Sequence, residues 1–189
     1  EFKILKKDLK KKFEEIGSKG EYILGKELHL FERNIEIFLK AKHVIGVGNW
    51  TEGTIMVLKA LGYKNGDEII TVSNSFIATC GAIAYAGLVP KLIDVGDDLN
   101  INAALLQKNI TKKTKAVMPV HLSGIPSNLE KIKKICKINK LDLIEDAAHA
   151  FGTKYKNNFL GTLGEVGIFS LHPRKSFHIL GDGGLIVTN

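Results

Sequence analysis

From Val44 onward, short runs rich in β-branched residues alternate with segments whose apolar residues recur at helical spacing. Such runs are typical of strands, and a helix between two strands usually joins them as parallel neighbours. Parallel sheets carry helices on both faces. The pattern therefore predicts a three-layer α/β/α fold with a mainly parallel, seven-stranded sheet. The predicted strands are residues 44–47, 68–72, 91–94, 116–120, 141–145, 167–171 and 185–188.

Helical periodicity places four helices between the first five strands, near residues 51–61, 77–85, 103–109 and 129–138. Two amphipathic helices precede the sheet, because Leu5, Leu9, Phe13 and Ile16 share one helical face and residues 28–39 repeat the pattern. We expect residues 1–43 to form an N-terminal helical segment and residues 44–189 to form the ligand-binding domain. A chain that stops directly after a strand is expected to be a fragment of a longer protein.

Charge and hydropathy narrow the classes of partner. The net charge is +7, but 25 of the 27 basic residues are lysines, scattered apart from a cluster between Lys6 and Lys12. Nucleic-acid readers favour arginine and aromatic platforms, so we interpret the cluster as a solvated helix face and expect no nucleic-acid partner. The absence of a long apolar run or a signal peptide predicts a cytoplasmic protein without membrane contact. Cys80 and Cys136 are interpreted as packed thiols, with no metal site.

The most unusual residues of the chain lie where the predicted strands end. Ligands of parallel sheets bind beyond the carboxyl ends of the strands, so these residues are expected to converge on one cleft. They are Gly48–Thr51 after the first strand, Ser73–Phe76 after the second, His121 after the fourth and Asp146 after the fifth.

The segment from Gly48 to Thr54 leads from a strand into a helix. Free N–H groups at a helix N-terminus, together with the Thr51 hydroxyl, suit a phosphate. An ordinary N-cap at Thr51 explains the same residues and stays open. Phe76 has two interpretations as well, a ring stacked on a planar ligand or a core aromatic at the start of a helix.

Asp146 ends an apolar strand and is followed by small residues and His149. A carboxylate in this position can hold a protonated pyridine nitrogen, and the alanines leave room for a flat ring. A helix cap at Asp146 and a packing role for His149 remain the alternatives.

Lys175 lies between Ser170 and the glycine-dense turn Gly181–Gly184. An amine for a Schiff base, a nearby acid and a hydroxyl for a phosphate are the groups that a pyridoxal phosphate enzyme needs. Glycines in the turn let the backbone pass close to a ligand. The sequence therefore predicts Lys175 as the nucleophile.

Taken together, these motifs resemble the sugar-nucleotide aminotransferases of the DegT/DnrJ/EryC1/StrS family, which have the type I aspartate aminotransferase fold. The resemblance runs through essentially the whole chain. It rests on residues 20–25, 49–53, 61–70, 75–79, 121–124, 145–150, 169–170, 175 and 181–184.

The resemblance implies pyridoxal 5'-phosphate as the cofactor, with Lys175 as its covalent anchor and as the group that moves a proton at the substrate α-carbon. Asp146 is implied at the pyridine nitrogen and His149 beside the 3-hydroxyl. The remaining implied cofactor contacts are Thr51, the backbone of Glu52 and Ser170 at the phosphate, and Phe76 on the ring.

The resemblance also implies an activity and partners. The enzyme is expected to move an amino group from an amino acid, L-glutamate, to a nucleotide-linked keto sugar in amino-sugar and surface-polysaccharide biosynthesis. A homodimer with the site at its interface is implied. Dehydratase relatives carry histidine at the position of Lys175, so the lysine favours transamination.

Two departures from the family pattern keep alternatives open. Trp50 precedes Thr51 and Gly53 follows Glu52, where the family usually has a small residue before the threonine. Family members are also longer, with a small C-terminal domain that is expected to be absent here. A non-catalytic binding or regulatory module on the same scaffold is the alternative, and a nicotinamide-dependent oxidoreductase fits the strands but lacks the glycine fingerprint.

Overall fold

The computed structural model describes residues 2–189, and its elements follow the predicted alternation. The helices are Phe2–Lys19 (α1), Lys26–Leu39 (α2), Trp50–Ala60 (α3), Ile77–Tyr85 (α4), Ala103–Asn109 (α5) and Leu129–Asn139 (α6), with a 3-10 turn at Leu122–Gly124. The strands are His43–Val47 (β1), Glu68–Val72 (β2), Val89–Ile93 (β3), Thr114–Val117 (β4), Asp142–Asp146 (β5), Lys154–Tyr155 (β6), Asn158–Phe159 (β7), Val166–Ser170 (β8) and Gly184–Thr188 (β9).

Seven strands form one sheet in the order β1-β9-β8-β5-β4-β2-β3. The neighbours from β8 to β3 pair in parallel, whereas β9 runs antiparallel to both β8 and β1. The predicted mainly parallel, seven-stranded sheet is therefore confirmed. The sequence pattern did not predict β6 and β7, which form a separate two-stranded hairpin.

Several strand boundaries differ from the prediction. β4 ends at Val117 instead of residue 120, because Pro119 has no N–H with which to continue the ladder. Val120 keeps only an isolated bridge to Asp146. β3 begins at Val89, two residues earlier than predicted, and β5 extends to include Asp146 itself.

The two faces of the sheet carry two separate cores. Leu143 packs with the helical layer that includes α2, α5 and α6, and Ile144 packs with the layer formed by α3 and α4. Successive side chains of a strand point to opposite faces. Glu145 and Asp146 therefore leave β5 on opposite sides of the sheet, which separates their roles.

The connection from β8 to β9 contains no helix. Because β9 runs back along β8, residues 171–183 form a loop at the same end of the sheet where β5 and β1 end. This loop carries Lys175. The chain thus brings its lysine to the edge at which the other candidate residues lie.

Some features of the described residues bear on function only indirectly. Cys80 is half-buried and Cys136 is buried, both as free thiols, as predicted. Within residues 2–189, no helix is long and apolar enough to cross a bilayer. The same residues contain no cluster of three or more side chains arranged to hold a metal ion.

Candidate active site

A cavity of about 700 Å³ opens at the carboxyl ends of β5 and β8, beside the start of α3. Each of the seven predicted site residues lines it. The full lining is Asn49, Trp50, Thr51, Glu52, Phe76, Ala78, Thr79, Asp146, Ala148, His149, Ser170, His172, Arg174, Lys175 and Asp182. The predicted convergence on one cleft is thus observed for these residues.

Asp146 lines the cavity and is 2% exposed. Its Oδ2 accepts a hydrogen bond from Thr79 Oγ1 at 3.1 Å, and its Oδ1 accepts from the Ala148 N–H at 3.2 Å. Burial raises the pKa of Asp146 to about 6, against the lowering effect of these two donors. A buried carboxylate held by neutral donors is well suited to receive a cation, such as a protonated pyridine nitrogen.

The raised pKa of Asp146 predicts a measurable pH dependence of stability. The folded state holds a proton on Asp146 at pH values where the unfolded chain has released it, so this group destabilises the cofactor-free fold as the pH rises from about 4 to about 6. We expect Asp146→Asn to stabilise the cofactor-free chain at pH 7 by up to about 3 kcal/mol, with little difference at pH 4. Urea unfolding of both proteins at the two pH values measures this, and a pH-independent difference would contradict it.

His121 does not join the cavity, so its predicted convergence with Asp146 is wrong. It is fully buried, and its Nε2 lies 3.0 Å from Glu145 Oε2. Its Nδ1 accepts the Ser127 N–H at 3.2 Å, which places the ring proton on Nε2, from where it donates to Glu145. The histidine completes a polar site on the far face of the sheet.

Glu145 anchors the loop between β7 and β8. Besides His121, it accepts hydrogen bonds from the N–H groups of Gly161, Leu163 and Gly164 at 2.9, 2.6 and 2.7 Å. Burial alone would raise the pKa of Glu145, but His121 and the glycine N–H groups hold it below its usual value. This side chain is an ionised structural anchor behind the site.

Lys175 enters the cavity from the loop between β8 and β9 and is half-buried. Burial lowers the pKa of Lys175, although the opposite charge of Asp146 acts in the other direction. A lowered pKa increases the fraction of neutral amine, which is the nucleophilic form. The structure therefore places this amine in the cavity and favours its neutral form, as the predicted role requires.

His149 lies on the turn that follows β5 and is also half-buried. Its Nδ1 accepts the Ser123 N–H at 3.3 Å. Burial and the charge of Lys175 lower the pKa of His149, so the neutral ring with its proton on Nε2 is favoured. The predicted position beside a ring hydroxyl stays a prediction.

The start of α3 provides the candidate phosphate cradle. Asn49, and not Thr51, is the N-cap, because its Oδ1 accepts the Glu52 N–H at 2.8 Å. The ordinary-cap alternative for Thr51 is therefore wrong. Because Asn49 already binds the Glu52 N–H, the backbone donors of Trp50 and Thr51, which have no acceptor within the helix, suit a phosphate better than that of Glu52.

Gly184 explains how the cradle is positioned. A Cβ at this first residue of β9 would lie 2.7 Å from the Asn49 carbonyl carbon and 2.9 Å from the Trp50 nitrogen. Only glycine lets the strand pass this close to the helix start.

Ser170, at the end of β8, is 8% exposed and accepts the His172 N–H at 3.4 Å.

The two aromatic residues of the cavity differ in burial, because Phe76 is exposed and Trp50 is buried. Phe76 is 75% exposed at the N-cap position of α4, so the core interpretation is wrong, and stacking on a ring stays a prediction. Trp50 is 6% exposed and packs in the α3 and α4 layer with Leu58 and Ile83. Trp50 therefore lines the cavity as a packed part of its wall.

Sequence reasoning missed Thr79, Asn49 and Asp182 in this site. The sequence signal for Thr79 is its place four residues after Ser75, and in the structure the two hydroxyl groups lie 2.8 Å apart. Asn49 was noted only as part of a turn. His172 and Arg174, which precede Lys175 on the same loop, also line the cavity.

These features fit pyridoxal phosphate. Asp146 has no ion pair within 4.0 Å among the described residues, so a protonated ring nitrogen would supply the missing cation. The start of α3 and Ser170 offer donors to a phosphate, and Lys175 offers the amine. Asp146 and Lys175 would therefore bind the ring end, with the start of α3 at the phosphate end.

Comparison with known proteins extends over the whole described chain. The model of the DegT/DnrJ/EryC1/StrS aminotransferase family matches residues 3–189. A pleiotropic regulatory protein of Geobacillus stearothermophilus is 38% identical over 190 residues, which cover 100% of this chain and 51% of that protein. A dTDP-3-amino-3,4,6-trideoxy-alpha-D-glucose transaminase of Streptomyces venezuelae is 32% identical over 193 residues, which cover 96% of this chain and 51% of that protein.

Structural comparison agrees with the sequence matches. The crystal structure of S. venezuelae DesV in complex with a ketimine intermediate superposes with a TM-score of 0.95 at 31% identity, covering 99% of this chain and 51% of that one. The chain spans about half the length of the curated relatives it matches. The match of fold, motifs and site leads to one conclusion: the chain belongs to the DegT/DnrJ/EryC1/StrS aminotransferase family, whose cofactor is pyridoxal 5'-phosphate.

Proposed function

We propose that the protein is a pyridoxal phosphate-dependent aminotransferase that moves an amino group from L-glutamate to a nucleotide-linked keto sugar, in amino-sugar and surface-polysaccharide biosynthesis. The observation that carries the proposal is the meeting of Lys175 and Asp146 in one cavity with a helix N-terminus. Relatives support the substrate class, since one is a transaminase of a dTDP-linked sugar and another is a GDP-perosamine synthase.

The site residues divide the work of the reaction. When bound, pyridoxal phosphate supplies an electron-withdrawing ring that stabilises negative charge at the substrate α-carbon. Asp146 would keep the ring nitrogen protonated, which strengthens that effect. Lys175 Nζ would hold the cofactor covalently and, as a free amine, would take the proton from the substrate α-carbon. His149 and the start of α3 would fix the ring and the phosphate.

We also propose the assembly and organisation that the family resemblance implies. The protein would act in the cytoplasm as a homodimer with the site at the dimer interface. Residues 1–43 would form the N-terminal helical segment and residues 44–189 the cofactor-binding domain. α1 supports a covered position in the assembly, because its apolar residues, such as Phe2 and Phe13, are exposed at 59% and 81%.

A spectroscopic half-reaction tests the proposed activity in the full-length protein. Addition of pyridoxal phosphate is expected to produce a visible absorption band, and L-glutamate should remove it with release of 2-oxoglutarate. A nucleotide-linked keto sugar should then restore the band, because the amino group leaves with the sugar. D-Glutamate is the matched control and should leave the band unchanged.

The same assay separates the enzyme from the binding-module alternative. Cofactor binding without a half-reaction, for L-glutamate and for a panel of other amino acids, would support a non-catalytic module. A half-reaction without transfer to any nucleotide-linked keto sugar would contradict the proposed acceptor class and leave the donor step intact.

A further inference from the structure

The loop that carries Lys175 has few attachments to the rest of the protein. Of residues 172–182, only Lys175 and Phe177 are not exposed. The backbone hydrogen bonds of Lys175 and Ile179 have their acceptors at His172 and Leu171, within or directly beside the loop. These bonds shape the loop internally and do not fix its position over the cavity.

Phe177 provides an attachment to two other elements. Its ring stacks on Phe151 with a centroid separation of 4.0 Å and an interplanar angle of 15°. Its centroid lies 6.3 Å from that of Phe31 on α2. Stacked rings prefer an offset geometry, so the contact restricts both the distance and the tilt of the loop.

The partner ring links this contact to the active site. Phe151 lies on the turn after β5, five residues beyond Asp146 and two beyond His149. Its ring also stacks on Phe38, with centroids 5.5 Å apart, and makes a T-shaped contact with the buried Phe169, with centroids 5.6 Å apart. The core therefore fixes the position of Phe151. Because Phe177 stacks on Phe151, this contact also restricts the position of the loop that carries Lys175.

We propose that Phe177 is a positioning residue, whose stack on Phe151 holds the Lys175 amine in register with the cofactor that Asp146 and His149 bind. The inference rests on the proposed cofactor chemistry, because register matters only for a ligand that touches both segments. A reacting amine displaced by about 1 Å loses on the order of 100-fold in rate, so a loop contact of this kind has kinetic consequences.

Two ligands distinguish positioning from a general structural role. Pyridoxal phosphate reacts with Lys175 through its aldehyde, whereas pyridoxamine phosphate has no aldehyde and binds the same cavity without that bond. The rate of covalent bond formation is followed by visible absorbance in the full chain. The affinity for pyridoxamine phosphate is followed by the fluorescence of Trp50, the single tryptophan of the sequence.

Phe177→Leu is expected to slow covalent bond formation by about 10- to 100-fold and to leave the Kd for pyridoxamine phosphate unchanged. Phe177→Tyr should restore the wild-type rate, because the ring stack is retained. Phe151→Leu should slow the reaction like Phe177→Leu, and the double variant should be no slower than either single variant. Phe159→Leu is the matched control, since it removes a ring that contacts Phe38 in the same cluster and touches neither the loop nor Phe151.

Three results would overturn the positioning role. These are a wild-type rate in Phe177→Leu, an equal loss of affinity for both ligands, or a Phe159→Leu variant as slow as Phe177→Leu. A wild-type protein that forms no covalent bond contradicts the proposed function and this inference together, whereas a normal wild type with a normal Phe177→Leu contradicts this inference alone.

Discussion

A Lys175→Ala variant is expected to form no covalent bond with pyridoxal phosphate and to lose at least about 10³-fold in the rate of the amino-acid half-reaction. Lys175 supplies the amine that lines the cavity. Because the pKa of Lys175 is lowered, a larger fraction of this amine is in the neutral, reactive form than for a solvent-exposed lysine. Visible absorbance checks the bond directly. Borohydride reduction followed by mass spectrometry checks it independently, since only the wild type should gain the mass of one cofactor.

Lys175→Arg serves as the matched control for charge. Arginine keeps a cation beside Asp146, but its guanidinium stays protonated and does not add to an aldehyde. If charge alone bound the cofactor, this variant would retain the band. A band or a mass gain in Lys175→Ala would show that another of the lysines is the anchor and would sink the assignment.

The second large effect concerns stability. We expect Glu145→Ala to lower the free energy of unfolding by about 3–5 kcal/mol, because it leaves His121 and three backbone N–H groups without their buried acceptor. Glu145→Gln should be milder, since an amide keeps one acceptor oxygen. Urea denaturation at pH 7 measures both.

Glu130→Ala is the control for this comparison. Glu130 also makes an ion pair, with Lys156 at 2.8 Å, but its side chain is 73% exposed. Exposed pairs contribute at most about 1 kcal/mol, so this variant should remain close to the wild type. Similar losses of unfolding free energy for Glu145→Ala and Glu130→Ala would mean that the buried network stabilises the fold no more than an exposed ion pair does.

Much of the site was predictable because parallel strands end at a common edge. Periodicity located the ends of β1, β5 and β8, and this placed Thr51, Asp146 and Lys175 near one another before any contact was known. His121 failed for a physical reason. Once Pro119 breaks the ladder, the alternation of faces along β4 no longer determines where a later side chain points, and the acid that received His121 was Glu145.

Features set by long-range pairing were beyond local patterns. The insertion of β9 between β8 and β1 depends on hydrogen bonds between distant segments, and β6 and β7 are too short for a periodic signal. The stack of Phe177 on Phe151 likewise joins residues on separate loops. Local sequence indicates where such aromatic residues lie along the chain, and only the fold determines which rings meet.

The place of β9 in the sheet also has a consequence for synthesis. Within residues 2–189, β1 has β9 as its one sheet neighbour, so a strand formed early must wait for residues 184–188 before it can pair. Chains emerge from the ribosome N-terminus first. Until β9 is made, the nascent protein exposes open edges on both β1 and β8, which are templates for aggregation. Completion of the sheet, and with it of the phosphate cradle against Gly184, therefore cannot precede the synthesis of β9.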